Sequence, residues 1–542
     1  MIRVREATGK DVAAIRDIFL ASYGTDYTDP RYYDELQLTR LVYSEDSLLL
    51  VAEEAETGQV IGTASVEFEI GAHSDLVGEF CRMAVHPAFR NRGVGNLLLS
   101  ERIAQVEDRL QIGLIEARVA HPYTMKIAEK HGFAVVGFLP LVWQRRQSES
   151  LSLFVRFFGN ALELRNSHPR LIPEAYSLAH LALNNCSLKP DLIVDEDLPA
   201  YPPGSTFQLQ ELTSEGYAPL LRIERGRVRH REIFGPGRLH YGIFKLKATD
   251  SRYLIAREDG RIAGAVGFTV DPLDKAVRIF ELIALHDGVI RFLLSELLRE
   301  SREKWRSGLV EVDVSAYAPR MQRTLLELGF LPVAYIPALV FYEVERLDVV
   351  KMMRMLTPPH VSTEGLTPPC KAIAELVLSS FHLRSVLPRI ADAVQSLVLF
   401  AGLDSEQISR LAGMCSVAVF PPGDVIFREG EIADRMHIIL DGAATITTHD
   451  SALPVGEIRK GECLGEISFL TAAPHSATAT ARARVETAAL EHQSLGELIR
   501  LRPDIGLHVY RNLASGMGEK LKRLNTAFHP LGFDLTRNNA TS

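Results

Sequence analysis

The stretch CRMAVHPAFRNRGVGNLLL, residues 81–99, contains the most specific pattern in the chain. An apolar run typical of a buried strand leads into a loop with Arg90 and Arg92, and Gly93 and Gly95 then open an amphipathic helix. Glycines let the backbone approach an anion closely, and the first amides of a helix have no partners within the helix. The stretch therefore predicts a diphosphate site between a strand and a helix.

The same stretch resembles motif A of the GNAT N-acetyltransferases, because Arg90, Gly93 and Gly95 meet the pattern R/Q-x-x-G-x-G/A. The order of elements from Met1 to about Gln144 also matches that family, including the Lys-His-Gly-Phe run at 130–133. The resemblance implies acetyl-CoA or another acyl-CoA as the donor. It implies that the donor is bound by Met83, Val85, Arg90, Arg92, Gly93, Val94, Gly95 and Asn96.

Acyl transfer to an amine requires a group that removes a proton from that amine. The resemblance places a catalytic glutamate at Glu79. The tyrosine that the family commonly uses as an acid is missing between Lys126 and Ala128, and His121 and Tyr123 are the nearby substitutes. Histidine titrates near neutral pH and suits either proton role. Purely structural roles stay open for all three candidates, as a strand end for Glu79 and helix caps for the other two.

Much of this pattern occurs twice along the chain. LLLVAEEAETGQVIGTASVEFE (48–69) matches YLIAREDGRIAGAVGFTVD (253–271), and FCRMAVHP (80–87) matches IFELIALHD (279–287). The two Gly-Phe pairs, at 132–133 and 329–330, lie 197 residues apart. Both series predict helices, antiparallel strands, a buried strand, a helix, a strand, a helix and a last strand. The sequence therefore predicts one mixed α/β domain in two copies.

The second copy has lost the features of the diphosphate site. Its loop, ALHDGVIRFLL (284–294), keeps only Gly288 and has Asp287 where a cation is wanted. A carboxylate repels a diphosphate. We therefore predict an acyltransferase domain at 1–145 and a degenerate GNAT-like domain at 206–346, which packs against the first or forms part of its acceptor site.

Two segments are predicted as linkers. Residues 146–205 include LSLFVRFFGNALEL (151–164), predicted as an amphipathic helix, and the Pro-rich run DEDLPAYPPGS (195–205). Residues 347–392 include TPPHVSTEGLTPPC (357–370), followed by a helical stretch. Clusters of Pro, Gly and Ser between periodic segments are typical of connections.

Short alternating runs separated by Pro-Gly, Glu-Gly and Asp-Gly pairs begin at about residue 393 and predict a small β-barrel or jelly roll. FPPGDVIFREGEIADRMHIILDG (420–442) and GECLGEISFLTAAPHSATATA (461–481) resemble the cyclic nucleotide-binding domain. The resemblance covers residues 393–528 and implies a jelly roll that carries a phosphate-binding cassette.

In that family the cassette binds the cyclic phosphate, and the resemblance assigns it to Gly465, Glu466, Ile467, Ser468, His475, Ser476, Ala477 and Thr478. Glu466 would accept from the ribose 2′-hydroxyl. His475 stands where the family has an arginine, and neutral imidazole offers one donor and no charge. A charged contact to phosphate contributes roughly 1.5–3 kcal/mol, so its loss weakens binding about ten- to a hundredfold. A cyclic nucleotide, another ligand and an empty barrel all stay open.

Composition limits the protein class. The chain has 542 residues, 46% hydrophobic and 24% charged, which indicates several globular domains. A net charge of −8 without a basic cluster argues against a nucleic-acid partner. No apolar run reaches the roughly 18 residues of a membrane span. Five scattered cysteines and an N-terminal MIRVREATGKD without a signal-peptide pattern favour free thiols in the cytoplasm, and no metal site is expected.

Together these patterns predict an α/β (α+β) multidomain chain, with two GNAT-like mixed-sheet domains followed by a cyclic nucleotide-binding-like jelly roll. The predicted function is N-acetyl transfer from acetyl-CoA to an amine such as a protein lysine, with cyclic AMP or cyclic GMP as the effector. A small-molecule amine acetyltransferase and a non-catalytic sensor or scaffold are the alternatives. Acceptor pockets come from variable loops, so the acceptor and the oligomeric state stay open.

Overall fold

The computed structural model describes residues 1–25, 27, 29–69, 76–120, 122–143, 149–196, 198–203, 207–212, 231–235, 251–271, 275–356, 361, 363, 365–393, 397–404, 407–408, 411–412, 414–449 and 454–528. The chain divides into an N-terminal unit, Met1–Leu378, and a C-terminal unit, Ser379–Ser542. Disulfides are absent from the described residues, where all five cysteines are free thiols.

The first copy of the repeat is built on a mixed sheet in the order β1-β2-β3-β4-β5-β7-β6. Its strands are β1 (Ile2–Glu6), β2 (Ser47–Glu54), β3 (Val60–Glu69), β4 (Val77–Val85), β5 (Ile112–Arg118), β6 (Ala134–Trp143) and β7 (Glu149–Phe157). Its helices are α1 (Val12–Tyr23), α2 (Glu35–Val42), α3 (Val94–Val106) and α4 (Tyr123–Lys130). Neighbouring strands are antiparallel except β4 and β5, which are parallel. The hairpin predicted over 48–69 is confirmed as β2 and β3.

The helix predicted over 151–164 is wrong, because β7 occupies this stretch between β5 and β6. Ser150 through Val155 are buried without a break. A strand covered on both faces loses the polar–apolar alternation, so its sequence cannot be told from that of a buried helix. In the described part of the predicted helical linker, 146–205, the α-helix is α5 (Pro173–Asn185), which packs against β6 and lies between the short strands β8 (Arg170–Leu171) and β9 (Ile193–Val194).

The second copy repeats the strand order, as β10-β12-β13-β14-β15-β17-β16 with β11 beside β15. Its strands are β10 (Gln208–Glu211), β11 (Ile233–Phe234), β12 (Ser251–Glu258), β13 (Arg261–Asp271), β14 (Ala276–Ala284), β15 (Leu309–Ser315), β16 (Leu331–Tyr342) and β17 (Glu345–Met355). Its described α-helices are α6 (Asp287–Glu303) and α7 (Pro319–Glu327). β17 corresponds to β7, and the second predicted linker, 347–392, begins inside β17. The domain boundaries stay predictions.

The two copies share one fifteen-stranded sheet, joined where β6 and β16 pair antiparallel at Gly137 and Ala334. A Cβ atom on Gly137 would lie 2.2 Å from the Cβ of Ala334. Such a distance is far below van der Waals contact, so the close approach at this joint requires glycine.

The C-terminal unit contains a jelly roll of two antiparallel sheets, β18-β25-β20-β23 and β19-β24-β21-β22. Its strands are β18 (Cys415–Phe420), β19 (Val425–Phe427), β20 (Arg435–Asp441), β21 (Ala443–Thr447), β22 (Gly456–Arg459), β23 (Cys463–Leu464), β24 (Thr478–Ala481) and β25 (Val485–Glu491). Helix α8 (Pro368–Ala393) precedes them in the chain, α9 (Glu466–Thr471) lies between β23 and β24, and α10 (His492–Leu501) and α11 (Pro503–Phe528) follow. Apolar residues of β20, β25, α10 and α11 share a core. The predicted fold class is confirmed.

Candidate functional site

The loop between β4 and α3 has the backbone geometry of an anion site. Asn91 has φ 62° and Gly93 has φ 77°, so two residues of this short loop lie in the left-handed region. Gly93 is the N-cap of α3, and a Cβ built on it would meet nothing within 4 Å. Backbone amides that converge in such a turn at a helix start form a concave site for negative charge.

Packing fixes the first turn of α3 against the sheet. Val94 is buried, and a Cβ atom on Gly62 of β3 would lie 2.9 Å from its Cγ1 atom. A Cβ atom on Gly95 would lie 3.2 Å from Ile127 of α4 and 3.6 Å from the sulfur of Met83. Val94 therefore holds the helix, while Gly95 makes room for α4. The Oδ1 atom of Asn96 is buried and has no hydrogen-bond partner in the described part of the chain.

Both loop arginines already contact the protein. Arg92 donates to a carboxylate oxygen of Glu54 at 2.9 Å, and its guanidinium lies over the ring of Phe89. Arg90 is exposed, and its Nε atom lies 3.5 Å from the carbonyl oxygen of Val85. An anion bound in this loop would therefore compete with Glu54 for Arg92.

Strands β4 and β5 separate at the level of this loop. Their parallel pairing extends from Val77 to Glu79. A bulge follows in β4, where the pairing with β3 shifts register and Arg82 has φ 52°. Met83 and Val85 lie beyond the bulge, past the residues of β4 that pair with β5. The opening between the strands begins next to the anion loop, which suits a long ligand with an anionic end.

The two described catalytic candidates, Glu79 and Tyr123, are not on the same side of the sheet. Phe80 lies under Arg102 of α3, and strand alternation therefore directs Glu79 to the opposite face. Tyr123 begins α4, which packs on the α3 side, and its side chain is 65% exposed. His121 lies outside the described residues.

Sequence reasoning missed Glu116 of β5, which lies two residues after Leu114, the partner of Glu79. Part of the Glu116 side chain is exposed to solvent. Burial of the rest against the surrounding protein, and after it the charge of Glu79, raises the pKa of the Glu116 carboxyl to about 7. Part of this environment comes from the second copy, so no local motif could have identified the residue. A carboxyl with this pKa exchanges protons near neutral pH.

The corresponding loop of the second copy has a different geometry. The N-cap of α6, His286, has φ −154°, and the helix begins with the acidic residue Asp287. Asp287 forms an ion pair with Arg320 of α7. The backbone turn and the cations of the first copy are thus replaced by an extended residue and a carboxylate.

The jelly roll contains a cavity of about 740 Å³. It is lined by the start of α9, by residues 475–477 and by one side of α11. Of the predicted cassette, Gly465, Glu466, Ile467, Ser468, His475, Ser476 and Ala477 line this cavity, whereas Thr478 begins β24 and accepts from the backbone amide of Glu429.

His475 is part of the cavity wall. Its ring stacks on Phe427 at 3.9 Å between centroids, and its Nδ1 atom lies 3.3 Å from the hydroxyl of Ser468. Gly465 has φ 79°, and a Cβ atom there would lie 3.2 Å from the ring of His475. Burial lowers the pKa of His475, so the imidazole is neutral at pH 7 and supplies no cation.

Glu466 already has a partner within the protein. Lys520 of α11 donates to its Oε1 atom at 2.7 Å and also to the carbonyl oxygen of Cys463. Glu466 is 5% exposed. Sequence reasoning missed Lys520, which stands in an ordinary amphipathic helix 54 residues after its partner. A ligand hydroxyl that takes the Oε1 atom of Glu466 must replace this ammonium group.

The described residues hold neither a cluster of the metal-binding type nor a helix of the membrane-spanning type. No cluster of three or more His, Cys, Asp or Glu side chains in them has the arrangement of a metal site. Among the helices of the same residues, none combines the length and the apolar character that crossing a membrane requires.

Several known proteins are similar to parts of this chain. The "CRP-like cAMP-activated global transcriptional regulator" of Mycobacterium tuberculosis is 27% identical over 140 residues, which are 25% of this chain and 60% of the regulator. The "cAMP-dependent protein kinase regulatory subunit" of Mucor circinelloides f. lusitanicus is 25% identical over 108 residues, 20% of this chain and 25% of the subunit. The chain thus spans less than two thirds of the length of either protein.

Two solved structures also align with it. An acetyltransferase of the GNAT family from Streptococcus pneumoniae is 20% identical with a TM-score of 0.26, and the alignment covers 29% of this chain and all of that one (100%). A cyclic nucleotide-binding domain from Methylobacillus flagellatus is 20% identical with a TM-score of 0.26, and the alignment covers 28% of this chain and 86% of that one.

Family models match the two regions that contain the sites. Residues 45–135, from β2 to the start of β6, match the acetyltransferase (GNAT) domain. Residues 417–502, which contain α9 and the walls of the jelly-roll cavity other than the one formed by α11, match the cyclic nucleotide-binding domain. The chain therefore carries a GNAT acetyltransferase domain followed by a cyclic nucleotide-binding domain.

Proposed function

We propose that the first copy transfers an acetyl group from acetyl-CoA to an amine, and that a cyclic nucleotide bound in the jelly roll regulates this transfer. The observation that carries the first part is the left-handed turn at Asn91 and Gly93, which leads directly into α3 beside the opening between β4 and β5. A cytoplasmic location fits five free thiols.

The residues of the first copy suit a coenzyme A thioester. Backbone amides from Arg92 to Asn96 would bind the diphosphate, with Arg90 and Arg92 as cations beside it. Backbone groups of Met83 and Val85, beyond the pairing with β5, would bind the extended arm. When bound, acetyl-CoA supplies the acetyl group already activated as a thioester.

The protein then has two tasks at the opening between the strands. It must take a proton from the acceptor ammonium so that the amine can attack, and it must allow the CoA thiolate to be protonated. The carboxylates of β4 and β5 suit the first task. For the second, Tyr123 at the start of α4 and His121 after β5 stay the candidates.

A protein lysine is the proposed acceptor, and a small-molecule amine is the alternative outcome of the same test. Cell lysate is incubated with the full-length chain and acetyl-CoA labelled in its acetyl group, and the label is followed in the protein and small-molecule fractions. We expect label that depends on the chain and is lost with Gly93→Glu. No chain-dependent label in either fraction would contradict the proposal and favour the non-catalytic alternative.

For the jelly roll, the cavity and the carboxylate of Glu466 support a ligand with a sugar hydroxyl, and cyclic AMP and cyclic GMP are the proposed ligands. Lys520 donates to the Oε1 atom of Glu466, so a ligand that takes this atom must displace an ammonium group. Loss of a charged hydrogen bond costs about 1.5–3 kcal/mol, so removal of this competitor raises ligand affinity about tenfold or more.

This prediction is measured by thermal unfolding of the full-length chain with each nucleotide at millimolar concentration. We expect Lys520→Met to bind the nucleotide more tightly, and so to gain more stability from it than the wild type does. Lys522→Met is the matched control, because Lys522 is exposed on the same helix and pairs with Glu519. A melting curve that neither nucleotide moves, in the wild type and in Lys520→Met, would favour a barrel without a cyclic nucleotide.

A further inference from the structure

The face of the sheet opposite α3 carries the carboxylates of the first copy. Glu79 points to this face because its neighbour Phe80 points to α3. Glu116 shares the face with Leu114, its second neighbour along β5 and the partner of Glu79. On β7, Leu153 lies opposite Glu116 and brings no charge. Two carboxylates of adjacent strands therefore lie next to the opening between β4 and β5.

The second copy presents charged residues from the corresponding strands. Arg278 of β14 and Glu311 of β15 are register partners and form an ion pair. Asp313 of β15 and Lys351 of β17 are also register partners, with 2.7 Å between the ammonium nitrogen and a carboxylate oxygen. Glu311 and Asp313 share one face because they are two residues apart. In the strand order, β14, β15 and β17 correspond to β4, β5 and β7.

These two sets of charges lie within electrostatic reach of each other. After the effect of the surrounding protein, the pKa of Glu116 is raised by Glu79 and Glu311 and lowered by Arg278 and Lys351. The side chain of Arg278 remains 44% exposed, and that of Glu116 is exposed as well. Both copies belong to one compact unit. Glu116 is therefore solvent-exposed and lies within reach of charges from both copies.

Other titratable groups near this face already have partners. Arg118, two residues after Glu116, pairs with Glu149 of β7, and its guanidinium lies over the ring of Tyr23 in α1. Glu67, opposite Glu79 on β3, pairs with Arg82. The charges that act most strongly on Glu116 are therefore Glu79 from its own copy and Arg278, Glu311 and Lys351 from the other.

Resting on the proposed acyl transfer, we infer that Glu116 accepts the proton of the acceptor amine and that the second copy completes this active site by placing Arg278 and Lys351 near that carboxylate. The second copy thus has a role in catalysis although it lacks the anion loop. Glu79 is then a neighbouring charge that modulates Glu116. Arg278 and Lys351 are positioning residues that stabilise the ionised carboxylate.

The reaction balances with the groups present. The acceptor ammonium gives one proton to the carboxylate of Glu116, and the neutral amine attacks the thioester carbonyl carbon. The new C–N bond forms, the C–S bond breaks and CoA leaves as a thiolate. The thiolate takes the second proton of the attacking nitrogen, and Glu116 returns its own proton to solvent. The net products are the amide, CoA thiol and one proton.

The test is the pH dependence of CoA release by the full-length chain, with acetyl-CoA as the donor and spermidine and a lysine-containing peptide as probe acceptors. Loss of a positioned base lowers the rate about a hundredfold or more. The rate of CoA release by Glu116→Gln should therefore fall by that factor, while its binding of acetyl-CoA is retained. Arg278→Gln should move the acid limb about one pH unit upward, because a nearby cation favours the ionised carboxylate. Glu79→Gln should move it downward.

Two controls separate this role from a structural one. Arg278→Lys keeps the charge and should restore the wild-type profile. Arg299→Gln changes an equally exposed arginine of α6, which pairs only with Glu296 and Glu303 in the described residues, and should leave the profile unchanged. The inference is overturned if Glu116→Gln stays fully active and Glu79→Gln instead loses about a hundredfold in rate. The base would then be Glu79.

A second measurement tests the inference without any acceptor. Glutamate labelled with ¹³C at the δ carbon is titrated by NMR in the wild type, Glu116→Gln and Arg278→Gln. We expect a carboxyl whose pKa is raised above the ordinary range of glutamate, which is missing in Glu116→Gln and titrates higher in Arg278→Gln. A Glu116 carboxyl that does not respond to Arg278→Gln overturns the inference alone. Failure of the wild type to bind acetyl-CoA would instead overturn the proposed function.

Discussion

The loops before α3 and before α6 occupy the same position in two copies of one fold, yet only the first has the geometry of an anion site. In the first loop Asn91 and Gly93 have positive φ, and two arginines lie beside the helix start. In the second loop His286 is extended and Asp287 begins the helix. The strand order of the copies is the same. A diphosphate site is therefore a property of a few loop residues, and the shared sheet does not create it.

The strands next to the two loops also carry different charges. The first copy has Glu79 and Glu116 on the open face, and the second has Arg278 and Lys351, each with a carboxylate partner. In the proposed reaction, the first copy binds the donor and the second copy places cations near the carboxylates of the first.

The largest effect on acetyl-CoA binding is expected from a substitution in the first loop. Gly93→Glu should weaken acetyl-CoA binding about a hundredfold or more, because it adds a carboxylate at the anion site and removes charged contacts of about 1.5–3 kcal/mol. Isothermal titration calorimetry measures this. Gly260→Glu is the matched control, since Gly260 has φ 75° and equally open surroundings in a hairpin of the second copy. Equal losses in both variants would contradict the assignment of the site.

The joint between the copies is tested with Gly137→Val. Its side chain would overlap Ala334, and overpacking of this kind costs about 1–3 kcal/mol of unfolding free energy. Urea unfolding of the full-length chain, followed by a probe in the N-terminal unit, measures the loss.

Gly288→Val provides the control for the joint, because the nearest atom to its added Cβ lies at an ordinary 3.5 Å. We expect a change within about 0.5 kcal/mol for this surface site. If the two variants had equal stability, the sheets would not be joined at Gly137 and Ala334.

The smallest effect is expected from Asp287→Asn in the second loop. The ion pair with Arg320 is exposed, and such pairs contribute about 0–1 kcal/mol, so stability should change little. Without the left-handed turn, removal of the negative charge should not create a second acetyl-CoA site. Calorimetry with this variant decides between charge and backbone geometry, because a second bound acetyl-CoA would show that charge alone separates the two loops.

Local patterns were sufficient to predict the parts of the fold that depend on short stretches. The strand before Arg90, the helix that begins at Val94 and the β2–β3 hairpin all follow from residues that are close together in the sequence. Strand β7 was missed because both of its faces are buried, which removes the alternation that distinguishes strands. Its position between β5 and β6 is a property of the whole sheet.

The candidate sites show the same limit. Gly93 could be singled out because a loop motif contains the entire reason for its presence. Glu116 could not, because four charged residues that act on it come from other strands, three of them in the second copy. Lys520 was missed for a related reason, since its partner Glu466 is distant in sequence and only the folded jelly roll brings them together.

The number of acetyl-CoA molecules that one full-length chain binds, measured by isothermal titration calorimetry, tests the difference between the two loops. We expect one per chain, bound by the loop at Gly93, with no second site in the loop at Asp287. Two molecules per chain, or no binding at millimolar acetyl-CoA, would contradict this expectation.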